Sequence, residues 1–168
     1  MPKITFIGAG SVIFAKNVLG DCIMTPALSD SHIALYDIDK EKLKASESML
    51  NNIKANSGSK VKITAYDNRR KALEGADYVI NAIHVGGYKP CTVNDFEIPL
   101  KYGLKQTYAD TIGIGGIFRG LRTIPVMLEM AREMEEVCPN AWLLNYSNPM
   151  AILTGAMLKA TSIKTVGL

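Results

Sequence analysis

Short apolar runs alternate with longer amphipathic stretches from one end of the chain to the other. Lys3–Ile7, His32–Tyr36, Val61–Ala65, Tyr78–Ile83, Ala141–Asn145 and Ile163–Val166 are the short runs, each of strand length. Their largely unbroken apolar character predicts strands buried on both faces, as in a parallel sheet. The stretches between them carry helical periodicity and helical punctuation. Val12–Met24 is predicted as a helix, with Ser11 as a capping residue type and Pro26 as its stop. Asp39–Asn56 is predicted as an amphipathic helix capped by Asp39, with Leu43, Ser46, Leu50 and Ile53 on its inner face. Arg70–Leu73 makes one helical turn ended by Gly75, and Thr92–Tyr102 and Pro149–Ala160 are helical. Asp110–Gly116, with three glycines, reads as a loop. Ile117–Val137 reads as one long helix whose inner face is Leu121, Ile124, Leu128, Ala131 and Met134, with Pro125 as a kink or as the true start.

This alternation predicts an α/β fold, a doubly wound, Rossmann-like, mainly parallel sheet with helices on both faces. Residues 1–168 form one domain on this reading. The last strand has nothing after it to cover it, so a domain of a longer protein is expected.

Composition narrows the function classes. Apolar residues make up 48% and charged residues 21%, which fits a soluble globular chain rather than a disordered one. The net charge of +3 comes from scattered residues, which argues against a nucleic-acid footprint. No apolar run reaches membrane-spanning length and no signal peptide is visible, so a cytoplasmic location is expected. Cys22, Cys91 and Cys138 are odd in number and far apart, and are expected to be reduced thiols.

Unusual residues gather just after the predicted strands, at the edge where ligands bind in such sheets. The first strand runs into Gly8-Ala-Gly10-Ser11, and the second ends at Asp37. Strand, glycine turn, helix, strand and acid together are the footprint of a dinucleotide-binding unit. Gly8 and Gly10 let a pyrophosphate approach backbone N–H groups at a helix start. Asp37 suits a ribose diol and repels a 2′-phosphate, which favours NAD over NADP. Two departures stand out: Ile13 occupies the third glycine position, and Asp37 lies 27 residues beyond Gly10. The alternative is a tight strand-to-helix turn without a nucleotide. Asp39 reads as a helix cap.

Other strand ends offer weaker candidates. His84 is either a packed residue or a catalyst, and His32 reads as structural. Gly86 and Gly87 either admit the nicotinamide half of a cofactor or form an ordinary turn. In Asn145-Tyr-Ser-Asn148-Pro149, Asn148 is a candidate sugar ligand or a cap, and its bond to Pro149 is a candidate for the cis form. Arg119 and Arg122 either hold an anionic group or solvate a helix start, where the dipole disfavours cations.

The strings ITFIGAGSVIF, IALYDID, GGYKPCTVNDFE, ADTIGIGGIFRGLRTIP, EVCPNAWLLNYSNPMA and VGL resemble the amino-terminal half of glycoside hydrolase family 4, its α-galactosidase branch above all. The likeness runs over essentially the whole chain, and both fingerprint departures are normal for that family. The resemblance implies an NAD- and Mn²⁺-dependent glycosidase. In its chemistry a hydride leaves C3 of the sugar, the metal-polarised carbonyl acidifies the C2 hydrogen, and a base removes it. The glycosidic oxygen is expelled, water adds, and the hydride returns. It further implies Gly8, Gly10 and Ser11 at the pyrophosphate, Asp37 at the ribose and Asn148 at the reacting hydroxyls. Asp110 is implied as an active-site carboxylate, while Arg119, read from the residues as a possible anion holder, is a candidate substrate contact. The family's metal cysteine is expected directly after VGL, with the metal histidine and the base further on, so no metal ligand is expected here. The implied partner is a small glycoside, whether galactoside, galacturonide or glucoside, and a homo-oligomer is expected. A lactate/malate-type 2-hydroxy-acid dehydrogenase and a noncatalytic NAD-binding module are the alternatives.

Overall fold

A computed structural model describes residues 1–107 and 111–168. Six strands form one sheet: β1 (Lys3–Ile7), β2 (His32–Tyr36), β3 (Lys62–Tyr66), β4 (Tyr78–Asn81), β5 (Trp142–Asn145) and β6 (Lys164–Gly167). Their order is β3-β2-β1-β4-β5-β6, and every pairing is parallel. The sheet is thus fully parallel, and the strand order reverses between β1 and β4.

The helices are α1 (Val12–Met24), α2 (Lys40–Ser57), α3 (Arg69–Leu73), α4 (Val93–Leu100), α5 (Gly113–Val137) and α6 (Met150–Ala160). Two apolar layers sandwich the sheet. Phe6, Leu35 and Ile80 pack with Leu19, Ile23, Leu43 and Leu50 of α1 and α2. Ile7, Val79 and Leu143 pack with Met127, Met130, Met134, Leu153 and Met157 of α5 and α6. Neighbouring residues of one strand, such as Val79 and Ile80, thus serve opposite layers. That is why the central strands are largely apolar at successive positions.

The glycine-rich segment departs from the sequence expectation. Gly113–Gly116 is the first turn of α5, not a loop. Its glycines serve close approach. A Cβ on Gly116 would stand 2.7 Å from the Thr111 carbonyl oxygen, and one on Gly120 would stand 3.0 Å from Ile152 of α6. The inner face of α5 is also shifted. It consists of Gly116, Gly120, Thr123, Met127, Met130, Ala131 and Met134, whereas Leu121 is 67% exposed. Small residues did not register in an apolar count, so the expected stripe through Leu121, Ile124 and Leu128 lay to one side of the buried one. Pro125 sits inside α5, which continues through it. Thr92–Tyr102 is shorter than expected: a wide helical turn over Gly87–Thr92 leads into α4, which stops at Leu100.

Candidate functional site

The crevice at the β1/β4 reversal is built from backbone first. Gly8 follows β1 with φ +93°, and a Cβ there would lie 2.8 Å from the carbonyl carbon and oxygen of Ala82, just past β4. Only glycine satisfies both the conformation and the clearance. The N–H groups of Gly8 and Ala9 donate to the Tyr36 carbonyl at 3.0 and 3.1 Å. Ser46 of α2 donates its hydroxyl to the Ala9 carbonyl at 2.6 Å. The turn after β1 is therefore tied to β2 and α2.

Asp37 completes that frame. One carboxylate oxygen accepts from the Gly10 N–H at 2.6 Å, the other from the Asp39 N–H at 2.8 Å. A Cβ on Gly10 would stand 2.8 Å from the same carboxylate, so Gly10 makes room for Asp37. A carboxylate has about four acceptor sites, so two remain for a ligand. Asp39 is the helix cap expected of it, accepting from the Glu41 and Lys42 N–H groups. The bond from the Lys42 N–H, above all, holds its carboxyl below the ordinary carboxylate range.

The start of α1 is the candidate anion-binding element. The Ser11 and Val12 N–H groups are bonded back to the Gly8 and Gly10 carbonyls at 3.1 and 3.0 Å. Ile13 and Phe14 occupy the rest of the first turn, where no intrahelical carbonyl precedes them. Ser11 makes no side-chain cap, contrary to its residue type, and the first turn holds no acid. Two amides and a hydroxyl are thus presented at the positive end of the helix dipole, an arrangement suited to a phosphate. The amide of Gly10 is turned to Asp37 and not into the cleft.

Gly8, Gly10, Ser11, Asp37 and Gly86 line one cleft of about 850 Å³, together with Ile38, Arg69, His84, Val126 and Met130. Gly86 has φ +83°, and a Cβ there would run into the Cys91 side chain. Its turn is held from behind. Arg122 Nε donates to the Val85 carbonyl at 3.2 Å, while its two terminal nitrogens grip buried Asp95 at 3.2 and 2.7 Å. This bond to Asp95 raises the guanidinium pKa above its ordinary value. Arg122 is therefore a brace for the cleft wall rather than an anion ligand. Because α5 begins at Gly113, Arg119 and Arg122 also stand well inside the helix, and the dipole argument about its start falls away. His84 bonds Thr92 at 3.0 Å, and His32 bonds Thr64 at 3.0 Å on the β2/β3 flank.

Asn148 and Arg119 do not line this cleft. Asn148 follows β5 on the same sheet edge, half-buried, and its bond to Pro149 is cis. Its neighbours are committed elsewhere. Asn145 and Ser147 form a buried network with Asn81 at 3.0 and 3.1 Å, and Tyr146 packs edge-on against Phe14 at 5.0 Å. Asp110 lies outside the described residues. Among the residues that hold the walls, Asn81 is marked only by its polarity at the end of an apolar run, Ser46 was read only as part of a helix face, and Asp95 lies in the GGYKPCTVNDFE string with no role assigned to it.

Among the described residues, no group of three or more His, Cys, Asp or Glu side chains is placed to hold a metal ion. Likewise, no helix is long and apolar enough to cross a membrane.

The profile of the family described as "Family 4 glycosyl hydrolase" matches residues 3–168. The chain belongs to that family. It is 65% identical over its full length to an alpha-galactosidase of Bacillus subtilis (strain 168), of which it covers 39%. It is 43% identical over 99% of its length to an alpha-galactosidase of Rhizobium meliloti (strain 1021), covering 34% of that protein. Among solved structures, the 6-phospho-beta glucosidase from Thermotoga maritima with manganese, NAD⁺ and glucose-6-phosphate superposes with a TM-score of 0.87. That structure is 30% identical and is covered to 39% by this family 4 chain, all of which matches. The chain thus spans less than half the length of these relatives. Family membership decides against the hydroxy-acid dehydrogenase alternative.

Proposed function

We propose that this chain is the dinucleotide-binding portion of an NAD-dependent family 4 glycosidase acting on α-galactosides. The observation that carries this reading is the pairing, in one cleft, of the uncapped α1 start with the Asp37 carboxylate. The Ile13 and Phe14 amides and the Ser11 hydroxyl would hold the diphosphate. Asp37 would accept from the adenosine ribose with its two remaining sites, while Gly8 and Gly10 keep the floor low enough for approach. Gly86 and its braced turn would wall the cleft beside the cofactor. When bound there, NAD⁺ would supply hydride-transfer chemistry toward the sugar. Asn148, one strand away on the same edge, would orient the sugar hydroxyls with its amide. Arg119 and Asp110 would contribute a substrate contact and a carboxylate.

The names of the Bacillus and Rhizobium relatives support an α-galactoside as the substrate. A cytoplasmic, self-associating protein fits the free cysteines and the exposed apolar residues of α4 and α5.

Isothermal titration with NAD⁺ tests the cofactor site: saturable binding by this chain is expected, and none would overturn the reading. Hydrolysis of p-nitrophenyl α-galactoside, with NAD⁺, Mn²⁺ and a reductant, tests the activity in a protein of the relatives' full length. There, Asn148→Ala should cut sugar turnover more than NAD⁺ affinity; the reverse pattern would move Asn148 to the cofactor.

A further inference from the structure

The wall of the cleft beside Asp37 contains an arginine that looks available and is not. Arg69 lines the cleft at the start of α3, with its side chain 17% exposed. An arginine in this neighbourhood is what accommodates the 2′-phosphate in NADP-binding relatives of the fold. Here the guanidinium fork is turned to α5. Nε and Nη2 donate to the two carboxylate oxygens of Glu133 at 2.8 and 3.0 Å, and Nη2 also donates to Glu129 at 3.0 Å. Two carboxylates on one guanidinium leave the cluster with a net negative charge. Lys42, another cation of the wall, pairs with Asp39 at 3.3 Å.

We infer that Glu133, which does not itself line the cleft, sets the cofactor preference by holding Arg69 out of the role of a phosphate clamp. The inference rests on reading the cleft as a dinucleotide site. Asp37 repels a 2′-phosphate directly; Glu133 removes the charge that would otherwise offset that repulsion. Glu133 is thus a positioning residue, and its effect appears in the ratio of two affinities rather than in either alone. General loosening of the fold would weaken both nucleotides together.

The test is titration of NAD⁺ and NADP⁺ into the 168-residue chain, as wild type, Glu133→Gln, Glu129→Gln and the double variant Arg69→Met/Glu133→Gln. The expected result is a shift of about three- to tenfold in favour of NADP⁺ for Glu133→Gln, the scale of one partly exposed ion pair. Glu129→Gln, at a more exposed carboxylate, should shift the ratio the same way by less. The shift should shrink in high salt and vanish in the double variant. An unchanged ratio in both single variants, or a shift that survives removal of Arg69, would overturn the inference. Failure of the wild type to bind either nucleotide would instead sink the dinucleotide reading, and this inference with it. Should Glu133→Gln fail to fold, the Glu129→Gln ratio decides alone.

Discussion

Asp37 shows how one side chain can tie the fold together and still keep acceptor sites open to the cleft. From sequence its role reads as a ribose acceptor. In the structure it also pins the Gly10 and Asp39 amides, so it joins the glycine turn to the start of α2. Asp37→Ala should therefore weaken NAD⁺ binding by about 1–3 kcal/mol, the scale of hydrogen bonds to a charged group, and lower the urea midpoint as well. An unchanged dissociation constant would remove Asp37 from the site. Gly10→Val should displace the carboxylate, which lies where the new side chain must go, and abolish measurable NAD⁺ binding. Normal binding by a folded variant would count against the turn. The glycines were legible because strand, turn and acid stand in order. Ser46 was legible only as a member of a helix face, since its bond to Ala9 crosses 37 residues.

At the scale of elements, α5 separates what an apolar pattern reveals from what it hides. Sustained helical periodicity marks α5 as a long helix but leaves Pro125 as a kink or a start; in the structure the helix runs through it. Its true start at Gly113 is hidden, because three of its first four residues are glycines, and propensity disfavours them. Packing overrides propensity there: Gly116 and Gly120 let the helix lie close to Thr111 and Ile152. The same helix supplies Arg122, whose partner Asp95 is 3% exposed. Arg122→Ala should cost about 3–5 kcal/mol, because it strands a buried carboxylate and frees the Val85 carbonyl. Arg122→Ala/Asp95→Ala should recover part of that loss. Urea unfolding of the two variants checks this, and equal midpoints would show that the pair contributes little.

For the molecule as a whole, strand order and the position of the cleft follow from a simple physical fact. Six apolar segments joined by helical crossovers have few ways to bury both faces of a sheet, and right-handed connections select among them. Boundaries were less legible: β3 and β6 each begin one residue later than their apolar runs. The substrate side was the least legible part, since the chain spans 39% of its Bacillus relative. The whole fold also shields its thiols unequally. Burial pushes the Cys138 thiol up to about 11. At pH 8 almost none of it is thiolate, so iodoacetamide should label Cys138 only after denaturation, as read by mass spectrometry. Labelling in the native chain at the rate of a free thiol would contradict this packing. A second consequence of burial concerns acid. His32 titrates below its ordinary 6.5, chiefly through desolvation, so the folded chain resists its protonation. The stability this confers is present above that value and lost as pH falls below it. The urea midpoint should drop more steeply between pH 7 and 5.5 in wild type than in His32→Gln.

The Gly8 and Ala9 amides fold back onto Tyr36, and the Ser11 and Val12 amides onto Gly8 and Gly10. The loop below the helix has thereby met its ordering entropy during folding, before any guest arrives. A nucleotide docking on Ile13 and Phe14 breaks no internal bond and organises no slack segment. Its binding energy is then retained as residence time rather than consumed in shaping its own seat.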